Sequence, residues 1–181
     1  ERISYNKIYH RNTIFHHNVK SGHPGGCLSC ADLITYIYDQ LVDLKNPDRE
    51  NRFILSKGHA APAQYAIASV EKMISKNELL SLRKYKSNMQ GHPSVLCLDW
   101  TETSTGSLGQ GFSFAIGMAL GKKHKKENGN IYALVGDGEL QEGSIWEGAM
   151  FAAHYKLDNL CIIVDYNKMQ SDDLNENIMG L

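Results

Sequence analysis

The residues with the greatest chemical reach lie in the stretch IYALVGDGELQEGSIWEGAMFAAHYKLDNLCIIVDYNKM, which runs from Ile131 to Met169. Asp137 stands between Gly136 and Gly138 directly after one apolar run, and Asn167 closes a second. One carboxylate and one amide oxygen suit a hard cation such as magnesium. That ion keeps few protein ligands and completes its octahedron with phosphate oxygens and water. The two glycines let the backbone turn sharply and approach a ligand. The amino end of the helix after Gly138 favours a diphosphate beside the cation. Three further groups able to give and take protons near neutral pH, His23, His59 and His92, stand in loops beside glycine or proline. Glu142 and Glu147 fall near the start of the following helix, where the dipole stabilises acidic side chains.

These residues need elements to position them. Residues 131–135 and 160–164 are apolar, short and bounded by glycine or polar residues, so they read as buried strands. Between them Ile145, Ala149, Ala152 and Ala153 recur at helical spacing and predict a helix over 142–155. Strand, helix, strand in one sheet means parallel pairing through a right-handed crossover. Asp137 and Asn167 then arrive side by side at the carboxyl ends of two strands, where open α/β sheets bind ligands.

Upstream, 3–19 reads as a helix with Ile3, Lys7, Ile8, Ile14 and Phe15 on a partly apolar face and His10, His16 and His17 at a surface or interface. SGHPGG at 21–26 is too rich in glycine and proline to continue it and reads as a turn. Leu28, Leu33, Ile34, Ile37 and Leu41 mark the next helix. After the Asn46-Pro47 break, 53–55 reads as a short buried strand that delivers Ser56-Lys57-Gly58-His59 to the same sheet edge as Asp137. An alanine-rich helix over 60–72 follows, then a capping box of Ser75 and Glu78 that opens a short helix through Tyr85. Residues 106–111, GSLGQG, open a helix carrying Phe114, Met118 and Leu120. No repeat, low-complexity tract or linker is present, so a single α/β domain is the economical reading, a parallel β-sheet flanked by helices.

The chain's 181 residues can bury a sizeable core, and 42% hydrophobic with 22% charged residues is ordinary for a globular protein. A net charge of −1 gives no electrostatic footprint for nucleic acid or an anionic membrane. Lys122, Lys123, Lys125 and Lys126 form the one basic cluster and read as a solvated C-terminal helix turn. No run is long and apolar enough to span a membrane and no signal-peptide pattern opens the chain, which reads as cytoplasmic. The sequence begins at Glu1 rather than Met, which leaves room for a preceding segment. Cys27 and Cys30 form a Cys-x-x-Cys, read as small residues packed on a helix in preference to a redox pair.

SGHPGG at 21–26, SKGHA at 56–60, GHP at 91–93, TGSLGQG at 105–111, GDGELQEG at 136–143 and the DYNK around Asn167 occur together in transketolase order. The chain resembles the diphosphate-binding, amino-terminal half of a transketolase. That resemblance implies thiamine diphosphate and Mg2+ (or Ca2+ or Mn2+) as cofactors. Asp137, Asn167 and the backbone carbonyl of Met169 would hold the metal. Gly136, Gly138 and His59 would contact the diphosphate, and Gly106 and Leu108 would offer backbone groups to the aminopyrimidine. His23 and His92 would face substrate hydroxyls and carbonyl. Glu142 and Glu147 would join the carboxylate network that links paired active sites across the subunit interface. The implied reaction moves a two-carbon ketol unit from a ketose to an aldose, with sugars or sugar phosphates as substrates.

Two positions depart from the family pattern. Ser107 replaces the loop proline, which loosens the turn, and Glu139 replaces a cysteine of many relatives, adding a charge read as facing outward. The family's pyrimidine domain, with its cofactor-protonating glutamate, has no counterpart in the sequence. The chain also stops at Leu181, short of a further family histidine, so residues 1–181 are expected to be a diphosphate domain incomplete at its C-terminus. It is then expected to be inactive alone and to form a dimer of heterodimers with a partner that carries the pyrimidine domain, or to be part of a longer chain. The open alternatives are a deoxyxylulose-phosphate-synthase type, an oxo-acid dehydrogenase α-subunit, or a non-catalytic subunit that kept the fold.

Overall fold

The computed structural model describes residues 3–180, and the side chains of residues 14–16 lie outside that description. The apolar assignments to Ile14 and Phe15 and the surface assignment to His16 therefore fall outside the described residues. The chain divides into two compact units. Unit 1 comprises the chain through Arg49 together with Gly58–Ser104, and unit 2 comprises Glu50–Lys57 with the chain from Thr105 onward.

Unit 2 contains the sheet. Strands β1 (Arg52–Leu55), β2 (Ile131–Gly136) and β3 (Leu160–Asp165) lie in the order β1-β2-β3, all parallel. Each matches its apolar run to within one residue. Helix α6 (Gln110–Lys125) turns Phe112, Ala115, Ile116 and Ala119 into a core shared with Ile54, Ile131, Ala133, Val135, Ile145 and Leu157. Phe114 lies on the opposite face and is exposed. The basic cluster ends α6, with Lys126 capping it in a left-handed conformation, as a solvated C-terminal turn requires. Helix α7 (Gly143–His154) bridges β2 to β3. β3 is an edge strand, and Ile162 and Val164 on it are exposed.

Unit 1 is helical. Helix α1 (Tyr5–Val19) packs on α4 (Ala61–Val70), nine of whose ten residues are buried. An element buried on all sides needs apolar residues all round, as its alanines, Tyr65 and Ile67 supply. Between them two expectations are corrected. The SGHPGG segment is not wholly a turn, because α2 (Pro24–Ser29) begins at its proline, whose missing N–H costs nothing at a first helical position. The next helix is not continuous either. It breaks at Cys30, resumes as α3 (Ala31–Tyr36) and ends in a π-helical turn over Ile37–Leu41. Cys27 and Cys30 are fully buried, and the Cys30 thiol donates to the Gly26 carbonyl, in keeping with packing.

The capping box forms: the Ser75 hydroxyl accepts from the Glu78 amide and the Glu78 carboxylate from the Ser75 amide. Helix α5 (Lys76–Leu79) nevertheless stops well before Tyr85, because the chain turns through left-handed conformations at Arg83 and Lys86. A short helix α8 (Asn175–Ile178) closes the described chain.

Candidate active site

In unit 2 the site forms where the three parallel strands end. The amides of Ser56 and Lys57 both donate to the Leu134 carbonyl, at 2.9 Å and 3.2 Å, so these two residues leave β1 alongside Gly136. Gly136 and Asp165 are register partners, and the Asp137 amide donates to the Asp165 carbonyl. Asp137 is 2% exposed. Its Oδ1 accepts from the Gly138 amide at 3.0 Å and its Oδ2 from the Lys168 amide at 2.6 Å. Lys168 adopts a left-handed φ of 63°, which turns its amide toward Asp137. Asp137 and the Asn167–Met169 turn are thus joined, as the crossover requires. Asn167 is half-buried and its Oδ1 accepts from the Met169 amide at 3.0 Å. Met169 is exposed and pairs with Leu174 in an antiparallel bridge.

Around this turn the structure reveals groups whose burial the sequence reading missed. Lys57, 1% exposed, forms a buried ion pair with Asp165. Glu139 is not the outward-facing charge expected of it. It is 2% exposed and sits in a 3-10 turn over Gly138–Gln141, which folds its carboxylate back under β2. Oε1 there accepts from the Ser56 hydroxyl at 2.6 Å and the Gly109 amide at 2.8 Å, and Oε2 accepts from the Gly136 amide at 3.1 Å. The available signal was polarity: a charged residue beside a buried strand end must find partners or not be buried. Gln170 is the third such group. Its side chain lies over Gly138, 2.9 Å from where a Cβ there would stand, and its buried Nε2 has no hydrogen-bond partner among the described residues.

The GSLGQG loop needs its glycines for two physical reasons. Gly109 has a φ of +81°, and a Cβ there would meet the Ser144 hydroxyl at 2.3 Å. A Cβ on Gly111 would lie 2.7 Å from the Ser56 backbone. Gly106 and Leu108 precede these in the same loop, half-buried, and the Thr105 hydroxyl ties the loop's start to the Leu55 carbonyl at 2.7 Å. Glu142 is the exposed N-cap residue of α7 but makes no side-chain cap bond, and Glu147 is exposed on the same helix.

In unit 1 the three histidines fall together. The rings of His23 and His59 meet edge to face with centroids 5.2 Å apart. The Gly26 backbone lies against His59, so that a Cβ there would stand 3.2 Å from the ring. His92 is exposed, and its pKa is lowered from the ordinary histidine value by partial burial first, then by the Arg83 guanidinium and His23. The Tyr65 hydroxyl, which burial keeps protonated, donates to the carbonyls of Gln90 and His92 at 3.0 Å and 3.2 Å. Arg83 donates to the Ser21 hydroxyl at 3.0 Å, tying the loops that carry His23 and His92.

The donor set in unit 2 fits a metal-bound diphosphate. Asp137, Glu139 and Asp165 set three buried carboxylates against the single buried ammonium of Lys57 among the described residues of that unit, an imbalance a divalent cation would reduce. The unpartnered Gln170 amide beside Gly138 is a donor suited to an anion. No cluster of three or more His, Cys, Asp or Glu with metal-holding geometry exists among the described residues. One carboxylate with amide and carbonyl oxygens is instead the kind of sparse set that magnesium accepts.

A parallel sheet with an acid-lined, glycine-rich carboxyl edge defines an α/β domain of the ligand-binding kind. The chain belongs to the transketolase family: the family described as "Transketolase, thiamine diphosphate binding domain" matches residues 7–179. Human transketolase is 46% identical over 158 residues, a match that covers 84% of this chain and 25% of that protein. A protein of Phocaeicola vulgatus, named as one subunit of an apulose-4-phosphate transketolase, is 38% identical over 169 residues, covering 91% of this chain and 60% of its own length. Among solved structures, transketolase from Campylobacter jejuni superposes with a TM-score of 0.90 at 30% identity, over 99% of this chain and 30% of that one. The chain thus spans about a quarter of the length of the human transketolase it matches. No helix among the described residues is long and apolar enough to cross a membrane.

Proposed function

We propose that the chain is the amino-terminal, diphosphate-binding part of a magnesium- and thiamine diphosphate-dependent transketolase that moves a two-carbon ketol unit from a ketose to an aldose. The observation that carries this reading is the joined pair at the strand ends: Asp137 bound to the Lys168 amide, with Asn167 and Met169 on the same turn. Asp137, Asn167 and the Met169 carbonyl hold the cation, which Ca2+ or Mn2+ can replace. The backbone of Gly136 and Gly138, with His59, binds the diphosphate, and Gly106 and Leu108 bind the aminopyrimidine through backbone groups. When bound, the cofactor supplies an electron sink for breaking the ketose C2–C3 bond. His92, held neutral at neutral pH, accepts and returns a proton at a substrate hydroxyl, and His23 donates to the substrate carbonyl. Glu142 and Glu147, exposed at the start of α7, face a second protomer in the carboxylate network between paired sites.

The remaining cofactor contacts come from a pyrimidine domain. The naming of the Phocaeicola relative as one subunit of its enzyme supports a partner chain, assembled as a dimer of heterodimers, with part of a longer chain as the alternative. The matched family favours this reading over the deoxyxylulose-phosphate-synthase and oxo-acid dehydrogenase types. A reducing cytoplasm suits four cysteines, none of them disulfide-bonded.

The test is co-purification of this chain with a pyrimidine-domain partner, followed by thiamine diphosphate titration with and without magnesium and a ketose-to-aldose transfer assay. Magnesium-dependent binding and transfer by the pair are expected, with neither from this polypeptide alone. Transfer by the isolated polypeptide would sink the split assignment. Absence of magnesium-dependent binding with the partner present would favour a non-catalytic role.

A further inference from the structure

Among the described residues of unit 2, Glu139 is the buried acid that is neither a proposed cation ligand nor the partner of Lys57. Its three donors come from three separate segments: Ser56 beyond β1, Gly136 at the end of β2, and Gly109 in the loop before α6. A buried carboxylate accepting several N–H and O–H groups makes short, strong, charge-assisted bonds. Gly109 has no side chain of its own to anchor it and holds a left-handed φ, so its amide bond to Glu139 is a specific tie on that loop. The tie falls two residues after Ser107, where the family resemblance expects the stiffening proline.

We propose that Glu139 is a positioning residue whose buried carboxylate clamps the 106–109 loop to the strand ends and so presets the backbone groups of Gly106 and Leu108 for the cofactor. The proposal rests on the thiamine diphosphate reading above. It assigns to one acid the rigidity that a loop proline would supply from within. Three donors meet two carboxylate oxygens, and the Ser56 hydroxyl can rotate to accept as well as donate. The Gly109 and Gly136 amides cannot. The two amides reach different oxygens, so a glutamine at 139 in the same pose places its one acceptor oxygen at one of them and its NH2 at the other. A methionine, similar in size, serves neither.

The experiment uses the complete enzyme with its partner and reads two quantities: backbone amide exchange at Gly109 and Gly136 without cofactor, and the thiamine diphosphate Kd. In Glu139→Met both amides are expected to exchange about tenfold faster or more, and the Kd to rise by about the same factor. In Glu139→Gln one of the two amides speeds up. Adding Ser107→Pro to Glu139→Met is expected to recover much of the cofactor affinity while Gly136 stays fast. Unchanged Gly109 exchange in Glu139→Met would overturn the clamp, and faster exchange with an unchanged Kd would overturn the presetting role. Failure of Ser107→Pro to recover affinity would overturn the equivalence with proline. Should the Met variant not fold, the Gln variant decides: two unaltered amides defeat the proposal. A wild-type enzyme that binds no thiamine diphosphate would overturn the cofactor reading and the presetting role with it, whereas the clamp itself is read without cofactor and stands or falls separately.

Discussion

In unit 2 the acids at the strand ends are at most 5% exposed, and each is held by backbone amides or by an ion pair. In unit 1 the chemically capable side chains are imidazoles, half-buried or exposed, braced through the backbone and by ring contact. The contrast follows from the tasks proposed for them. A group that holds a cation or a loop works by staying charged and still, which burial among fixed donors achieves. A group that passes protons must change charge near neutral pH, and access to water allows that.

The sharpest way to break this contrast is to unbalance the buried charges. Lys57→Met leaves Asp165 buried without its cation and is expected to cost about 3–5 kcal/mol in urea unfolding. Lys57→Met with Asp165→Leu should recover most of that loss. A double variant no better than the single would mean that the pair is not what holds this strand end.

Next in size is Asp137→Ala. It is expected to weaken magnesium-dependent cofactor binding by about a hundredfold, or ~2.7 kcal/mol, in a calorimetric titration of the assembled enzyme. Equal affinity with and without magnesium in the wild type would remove the basis for this expectation. Glycine substitutions then compare the two units directly. Gly111→Ala forces a Cβ onto the Ser56 backbone and is expected to destabilise by about 2 kcal/mol. Gly25→Ala lies in α2 with nothing within 4 Å of the new Cβ, and is expected to stabilise by about 0.5–1 kcal/mol. Melting temperatures that moved the same way for both would contradict the packing described.

The smallest effect is a titration. Burial, Arg83 and His23 all favour the neutral form of His92, so its pKa in the folded protein lies below the ordinary value. As pH falls below that ordinary value the unfolded chain takes up the proton first, so folding loses stability there and none above it. By NMR, Arg83→Gln should move the His92 titration back up toward the ordinary value. An unmoved midpoint would leave burial and His23 as the causes.

The strands and the GDG turn were legible because an apolar run bounded by glycine constrains its own conformation. So were the capping box and the basic end of α6, whose causes lie within a few residues. What was not legible depended on distant partners. Helix α5 has the composition to reach Tyr85, yet the chain turns at Arg83, whose guanidinium bonds Ser21. Glu139 reads locally as a surface residue of a turn, and only Ser56 and Gly109 make its burial affordable. Lys57 reads only as part of the segment at the sheet edge, and its burial depends on a counter-charge from Asp165, 108 residues away.

The order of assembly follows from how far apart these partners lie in the chain. Ser56 and Glu139 are 83 residues apart and Lys57 and Asp165 108 apart, while β2 and β3 are joined by a single helix. Contacts of such long sequence separation form late, because the closure entropy must be met before they reward it. β2, α7 and β3 are therefore expected to condense first and β1 to dock last, carrying Ser56 and Lys57 into place. Competence to bind cofactor would then appear only in the final kinetic phase of refolding, after most of the helical circular dichroism has returned.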